Sequence, residues 1–170
     1  MTSVSVVRLP AMIVVGLQVT GTYEALRQRI PQAWAALLSR LPELPQRVDP
    51  DVFLKVEPQG ADLRGPNRDE LTCWVGVEVR AIEEAPPGMS AIHVPAGDYA
   101  TTRVMGEPAA VNAAAWDIFQ WVRHSGRSLS IDAPGPERNA AYAVERYDPR
   151  RQREMPPAAP FDYDLFKALA

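Results

Sequence analysis

The sequence is poor in the residues that usually carry ready-made chemistry. It has one cysteine, Cys73, and two histidines, His93 and His124, in 170 residues. A single thiol cannot close an intrachain disulfide, and its neighbours Trp74 and Val75 mark it as a small packed group. There is no CxxC pair. The histidines lie 31 positions apart (124 − 93) without ligand spacing, so neither a metal nor a cofactor is expected. A glycine-rich phosphate loop and a nucleophile–histidine pair are both missing. No apolar run reaches membrane-spanning length, and the N-terminus lacks a charged segment followed by an apolar run and a cleavage site. The expected location is the cytoplasm, with no membrane contact. Positive charge is scarce too: 18 Lys and Arg against 21 Asp and Glu give a net charge of −3, which leaves no footprint for direct nucleic-acid binding. The densest basic run, Arg146 with Arg150, Arg151 and Arg153, is broken by Asp148 and followed by Glu154. It reads as a solvated loop.

What remains is an ordinary globular composition, 46% hydrophobic and 23% charged, in a chain long enough for one domain over 1–170 with a sizeable core. Residues 4–20 are rich in β-branched side chains and broken at Leu9-Pro10, which predicts one bent strand or two short ones. Residues 22–41 follow helical spacing, with Leu26, Ile30, Ala33, Trp34, Leu37 and Leu41 on one stripe. Pro31 lacks the amide that would bond the Arg27 carbonyl, so the helix either kinks or starts there. A strand over 52–56, a polar loop over 57–70 and a strand over 71–79 suggest a hairpin. In the last of these, Leu71, Cys73, Val75, Val77 and Val79 form an apolar face, and Thr72, Trp74, Gly76 and Glu78 a mixed one. Residues 83–88 read as a linker.

The pattern then begins again. Residues 92–104 alternate, Pro108 opens a helix, and Ser125-Gly126 ends it. A loop rich in Pro and Gly over 128–138 leads to a strand over 139–149. Pro10 and Pro95, Ala11 and Ala96, and Gly21 and Gly106 each lie 85 positions apart (95 − 10). The helical stripes fall in register, with Leu26 on Val111, Ile30 on Ala115, Trp34 on Phe119 and Leu37 on Val122. Duplication explains this better than chance. Each copy reads as strand, helix, two strands, over about 4–82 and about 88–150, with a tail over 151–170. Residues 150–160 hold three prolines and no alternating run. The last strand of the second copy is therefore expected to be short, irregular or lost, and 161–166 to form a short amphipathic helix or hook.

In the strand over 139–149, Ala141, Ala143, Glu145 and Tyr147 share one face and Tyr142, Val144 and Arg146 the other. Position alone leaves two readings, a solvated edge strand or a carboxylate at the floor of an aromatic pocket.

Five segments together carry a resemblance. They are Leu9-Pro10-Ala11 with Val14-Val15-Gly16-Leu17; Val75-Gly76-Val77-Glu78-Val79; Val94-Pro95-Ala96-Gly97-Asp98-Tyr99-Ala100; Trp121 with Ser125-Gly126 after it; and Glu145-Arg146-Tyr147. In order and spacing the chain resembles the GyrI-like small-molecule-binding domains over most of its length. These include effector-binding domains of AraC-type and MerR-type bacterial multidrug transcription regulators. The resemblance implies an α+β fold of tandem β-α-β-β repeats with pseudo-twofold symmetry. It also implies an antiparallel sheet forming a concave ligand cleft, with two helices packed behind. The chain departs from the family pattern at Met105, where a polar residue commonly precedes the glycine, and at the last strand of the second copy. Too few residues lie outside the repeat for a helix-turn-helix. The expectation is a stand-alone effector-binding protein that acts on transcription, if at all, only through a partner; the candidate associations are a protein partner or a homodimer.

The resemblance places a glutamate facing the ligand at Glu145. A carboxylate among rings is costly to desolvate and favours a cation, so the implied ligand is aromatic or a cationic lipophile. The ligand-binding set on this reading is Glu145, Tyr147, Tyr99, Trp74, Glu78, Trp121 and Tyr142, with Glu78 approaching Glu145 across the cleft. Each has an ordinary reading as core or solvated strand, and Trp34 and Phe119 read as core. Binding requires no catalytic residue. The alternatives implied are a metal-independent hydrolase of reactive electrophiles using Glu145 as general base, and a gyrase-inhibitor-like protein partner.

Overall fold

A computed structural model describes residues 3–59, 70–130 and 141–170. Residues 4–20 become two strands, β1 (Ser5–Leu9) and β2 (Met12–Gly21). Helix α1 (Tyr23–Ser39) begins at Thr22, whose hydroxyl accepts the Ala25 amide at 3.1 Å, and it continues through Pro31 rather than starting there. Strands β3 (Phe53–Pro58) and β4 (Leu71–Val79) complete the first unit. The second comprises β5 (Ser90–Val94), β6 (Gly97–Gly106), α2 (Ala109–Ser125), β7 (Tyr142–Tyr147) and β8 (Phe161–Ala168). Gly126 closes α2 at φ 73°, a left-handed position that glycine adopts without strain. The loops expected over 57–70 and 128–138 lie outside the described residues from 60 to 69 and from 131 onward.

Strand β8 corrects the reading of the tail as a helix or hook, and of the last strand as irregular or lost. It pairs with β6 on one side and β7 on the other. Its alternation places Phe161, Tyr163, Leu165 and Lys167 on one face and Asp162, Asp164, Phe166 and Ala168 on the other. The two aspartates are held by arginines, Asp162 by Arg103 and Asp164 by Arg151, each at 2.5 Å. The proline-rich stretch before β8 is fastened by buried Gln152. Its side chain accepts the Asp162 amide at 2.8 Å and donates to the Ala158 carbonyl at 3.1 Å.

Among the described residues eight strands form one antiparallel sheet in the order β1-β6-β8-β7-β3-β4-β2-β5. Read from either end, the order gives equivalent strands, with β7 and β3 at the centre. The equivalence extends to register. Lys55 pairs with Val75, and Glu145 pairs with Leu165, each 90 positions on (145 − 55, 165 − 75). Met12 pairs with Val94, and Gly97 with Leu9, related by the 85-position shift (97 − 12, 94 − 9). The pseudo-twofold axis passes through the β3–β7 pairing, where Lys55 faces Glu145 directly.

The sheet buries both faces. On one, Trp34 and Leu37 of α1 and Ala114, Ile118 and Val122 of α2 pack on Phe53, Val75, Val77, Tyr147, Tyr163 and Leu165. On the other, Val7, Leu9, Val14, Ile92, Val94 and Tyr99 meet Val56, Val144 and Phe166. Strands from opposite ends of the order share this second cluster, so the sheet curls toward it and the helices stand outside the curl. Gly16 pairs with Gly76 across β2 and β4, so close that a Cβ on Gly16 would lie 2.0 Å from the Val75 carbonyl oxygen. Only glycine permits that approach.

Candidate functional site

Alternation along the central strands aims Lys55 and Glu57 of β3, Glu145 and Tyr147 of β7, and Tyr163, Leu165 and Lys167 of β8 toward the helix side. Over them the helices leave a cavity of about 400 Å³, a size suited to a small molecule. Its side walls are equivalent residues 85 positions apart (111 − 26): Leu26, Arg27 and Ile30 on α1, and Val111, Asn112 and Ala115 on α2. Both helices lie on one side of the sheet, as expected, and this cavity lies between them.

The floor is a network of charges. Lys55 Nζ lies 2.8 Å from Glu145 Oε1, and the Tyr147 hydroxyl donates to Glu145 Oε2 at 2.5 Å. Lys55 Nζ is also 3.6 Å from Glu57 Oε2, and Lys167 Nζ is 3.9 Å from Glu57 Oε1. Burial alone would lower the Lys55 pKa, but the charges of Glu145 and Glu57 outweigh it and hold the ammonium well above its ordinary value. Burial likewise pushes Glu57 up, and Lys55 and Lys167 reverse this and hold its carboxyl below the usual range. Burial, reinforced by the Glu145 charge, raises the Tyr147 phenol well above 10. Cys73, also on the wall, is pushed by burial to about 11 and is a thiol at neutral pH. Among the described residues no group of three or more His, Cys, Asp or Glu side chains is placed to hold a metal.

Aromatic rings close the other side. Tyr147 and Tyr163 lie 4.7 Å apart between centroids, Trp34 meets Tyr147 edge-on at 5.6 Å, and Phe161 meets Tyr163 at 6.0 Å.

Of the seven side chains expected to bind ligand, Glu145 and Tyr147 line this cavity and five do not. Trp74 and Tyr142 meet edge to face at 6.4 Å inside the curl, where the Trp74 indole N–H has no partner among the described residues. Tyr99 is buried on that same side, its hydroxyl donating to the Pro95 carbonyl at 3.0 Å. Glu78 shares the Trp74 face and opens into a separate groove beside His93. Burial there raises its pKa against the opposing charge of Arg146. It cannot approach Glu145, because the two lie on opposite faces of the sheet. Trp121 packs against the helix-side core away from the cavity. Phe119, expected in the core, is 38% exposed and stacks on Trp116 at 5.8 Å.

The side chains that sequence reasoning misses are Lys55, Glu57, Tyr163 and Lys167. A signal existed in Phe53-Leu54-Lys55-Val56-Glu57, where charges alternate with apolar residues. Placing Lys55 against Glu145 requires the register across 90 positions, which the 85-position alignment of the first strands does not supply.

The model of GyrI-like small molecule binding domains matches residues 2–166. No curated protein matches the sequence. Among solved structures, the EcmrR C-terminal domain superposes with a TM-score of 0.68 at 12% identity, covering 100% of this chain and 98% of that one. In the EcmrR–DNA complex the match spans 57% of the EcmrR chain. SAV2435 bound to tetraphenylphosphonium gives 0.62 at 11% identity, covering 99% and 94%. A Listeria innocua hydrolase encoded by lin2189 gives 0.51 at 11%, covering 99% and 92%. At these identities the likeness is one of fold. No helix among the described residues is long and apolar enough to cross a membrane.

Proposed function

The chain belongs to the family of GyrI-like small molecule binding domains, and from that premise we propose that it binds a flat, lipophilic aromatic molecule between α1 and α2. In this reading it serves as an effector-binding unit whose output passes through a protein partner or a homodimer. One observation carries the reading. A cavity of about 400 Å³ is bounded by apolar positions on both helices and by the rings of Tyr147, Phe161 and Tyr163. Filling it is the direct test. Ala115→Trp places an indole in the ligand space from a partly exposed helix position. Aromatic dyes followed by fluorescence are expected to lose at least about tenfold in affinity while the melting transition persists. Undiminished binding by a folded Ala115→Trp protein would place the ligand elsewhere.

The finer reading, a cationic lipophile held by Glu145, meets an obstacle: Lys55 already stands at 2.8 Å from that carboxylate. A ligand cation reaches Glu145 only by displacing it. The hydrolytic alternative draws on the likeness to a protein described as a hydrolase, but here both Glu145 oxygens are engaged, one by Lys55 and one by Tyr147. A general base needs one of them for water. Bound electrophiles are expected to be recovered unchanged in mass, and a gain of water under turnover would move the reading to hydrolysis.

A further inference from the structure

Among the described residues five charged side chains line the cavity: Arg27, Lys55 and Lys167 are cationic, Glu57 and Glu145 anionic. The chain as a whole carries −3, so these five side chains together are opposite in sign to the protein. Within that lining the hydrogen-bonding capacity is unevenly used. Glu145 is occupied on both oxygens. Lys167 is not. Its side chain is 16% exposed, and its charge partner Glu57 lies at 3.9 Å, beyond hydrogen-bonding distance, and is shared with Lys55. Among the described residues the Lys167 ammonium makes no hydrogen bond, although it carries three donors. Donors in so enclosed a place require acceptors. Arg27, on the α1 wall, forms no ion pair among the described residues.

Resting on the aromatic-binding reading, we propose that this cavity selects aromatic acids, molecules joining a flat ring to a carboxylate or similar oxyanion, over lipophilic cations. Lys55 is the specificity-determining residue on the excluding side. It is a cation tethered at the position a ligand cation would take, and it competes at the high effective concentration of an intramolecular group. Displacing it also leaves a buried ammonium without its closest partner. Lys167 acts on the accepting side, offering its free donors to the oxyanion. Arg27 adds a second positive charge, and the ring rests against Tyr147, Tyr163 and Phe161.

A matched series tests this: 2-naphthoate, 2-naphthamide and 2-naphthylmethylammonium, titrated calorimetrically at one ionic strength. Wild type is expected to bind the naphthoate about tenfold or more tightly than the ammonium, with the amide between, as one charge-assisted contact implies. This order needs no variant. Lys167→Met, or Lys167→Gln should the first not fold, is expected to cost the naphthoate about tenfold and the amide little. Lys55→Met is expected to reverse the order by freeing Glu145 for the ammonium. An ammonium that binds wild type as well as the naphthoate does overturns the proposal alone, as does a folded Lys167 variant with undiminished naphthoate affinity. Failure of all three compounds to bind overturns the aromatic-binding reading, and this proposal with it.

Discussion

The two halves of the sheet share a register and differ in chemistry. At cavity positions 90 residues apart, the first half presents Lys55, Glu57, Leu71 and Cys73, and the second presents Glu145, Tyr147, Phe161 and Tyr163. At these positions the first half supplies no ring, and the second supplies three rings beside Glu145. The lesson concerns the axis. Two identical half-units would bring a residue against its own copy there, lysine on lysine or glutamate on glutamate, and buried like charges repel. Duplication within one chain releases the copies from identity, and Lys55 against Glu145 is the complementary pair that results. The same divergence marks the helices. Trp34 is 2% exposed against Tyr147, while its equivalent Phe119 is 38% exposed.

The largest expected effect comes from breaking one half at its last strand. Deleting residues 161–170 removes β8 from between β6 and β7, which severs the strand order and strips Tyr163 and Leu165 from the core. Loss of any cooperative thermal transition is expected. Deleting residues 1–9 removes only β1, an end strand, and a lowered but cooperative melting transition should remain. A cooperative transition in the first truncation would show that β8 is an appendage. Next comes the helix pair. Trp34→Ala is expected to cost about 3–5 kcal/mol, a large-to-small change in a packed site, and Phe119→Ala less than about 1 kcal/mol. Equal losses in denaturant titrations would mean the two helices pack alike.

The axial pair sets the third prediction. An unpaired buried carboxylate would gain stability on neutralisation, but Glu145 has Lys55 at 2.8 Å. Glu145→Gln is therefore expected to destabilise by roughly 2–3 kcal/mol, since it strands a largely enclosed ammonium. Lys55→Met combined with Glu145→Leu should come close to wild type, because an apolar pair has no charge to desolvate. Chemical denaturation of the single and double variants decides this, and a single variant more stable than wild type would sink the pairing argument.

Much of this architecture is legible in the sequence because it is local. Helical spacing and caps place α1 and α2 within two residues of their observed ends, and the duplication follows from proline, alanine and glycine in step. Strand β8 is hidden because its face away from the helices carries Asp162 and Asp164, whose arginine partners are distant in sequence or lie in an irregular loop. Alternation gives the faces of β4 and β7 correctly. Which face holds a ligand is a different question. A mixed face reads as the one offered to ligand and an apolar face as the one under helices, which favours Trp74 and Glu78. In this molecule the candidate cavity and the helices share a face, and the sheet curls over the other, so Trp74 and Tyr142 become interior packing. Glu145 and Tyr147, in the segment the resemblance singles out, line the candidate cavity. Lys55 and Lys167 are missed because cross-strand pairing depends on register, and loop lengths alone do not set register.

The smallest effect sharpens the comparison at its most exposed charge. Glu57 and Tyr147 are equivalent positions (147 − 57 is 90), and only the first titrates in the acid range. Lys55 and Lys167 hold the Glu57 carboxyl below its ordinary 4.5. A depressed folded-state pKa contributes stability that is present above the unfolded value and lost as pH falls through the folded one. Lys55, held well above 10.5, contributes stability present below that value and lost as pH rises through its folded pKa. Together they give a plateau across neutral pH with an acid limb belonging to Glu57. Its side chain is 37% exposed and its partners stand at 3.6 and 3.9 Å, so water screens the interaction and the contribution should be about 0.5–1 kcal/mol. Glu57→Gln removes that limb and leaves the rest. Unfolding free energies of wild type and Glu57→Gln measured from pH 7 down to pH 3 should differ by this amount at neutrality and converge in acid. A difference that stays constant, or widens as pH falls, would mean that Glu57 is not held by the two lysines.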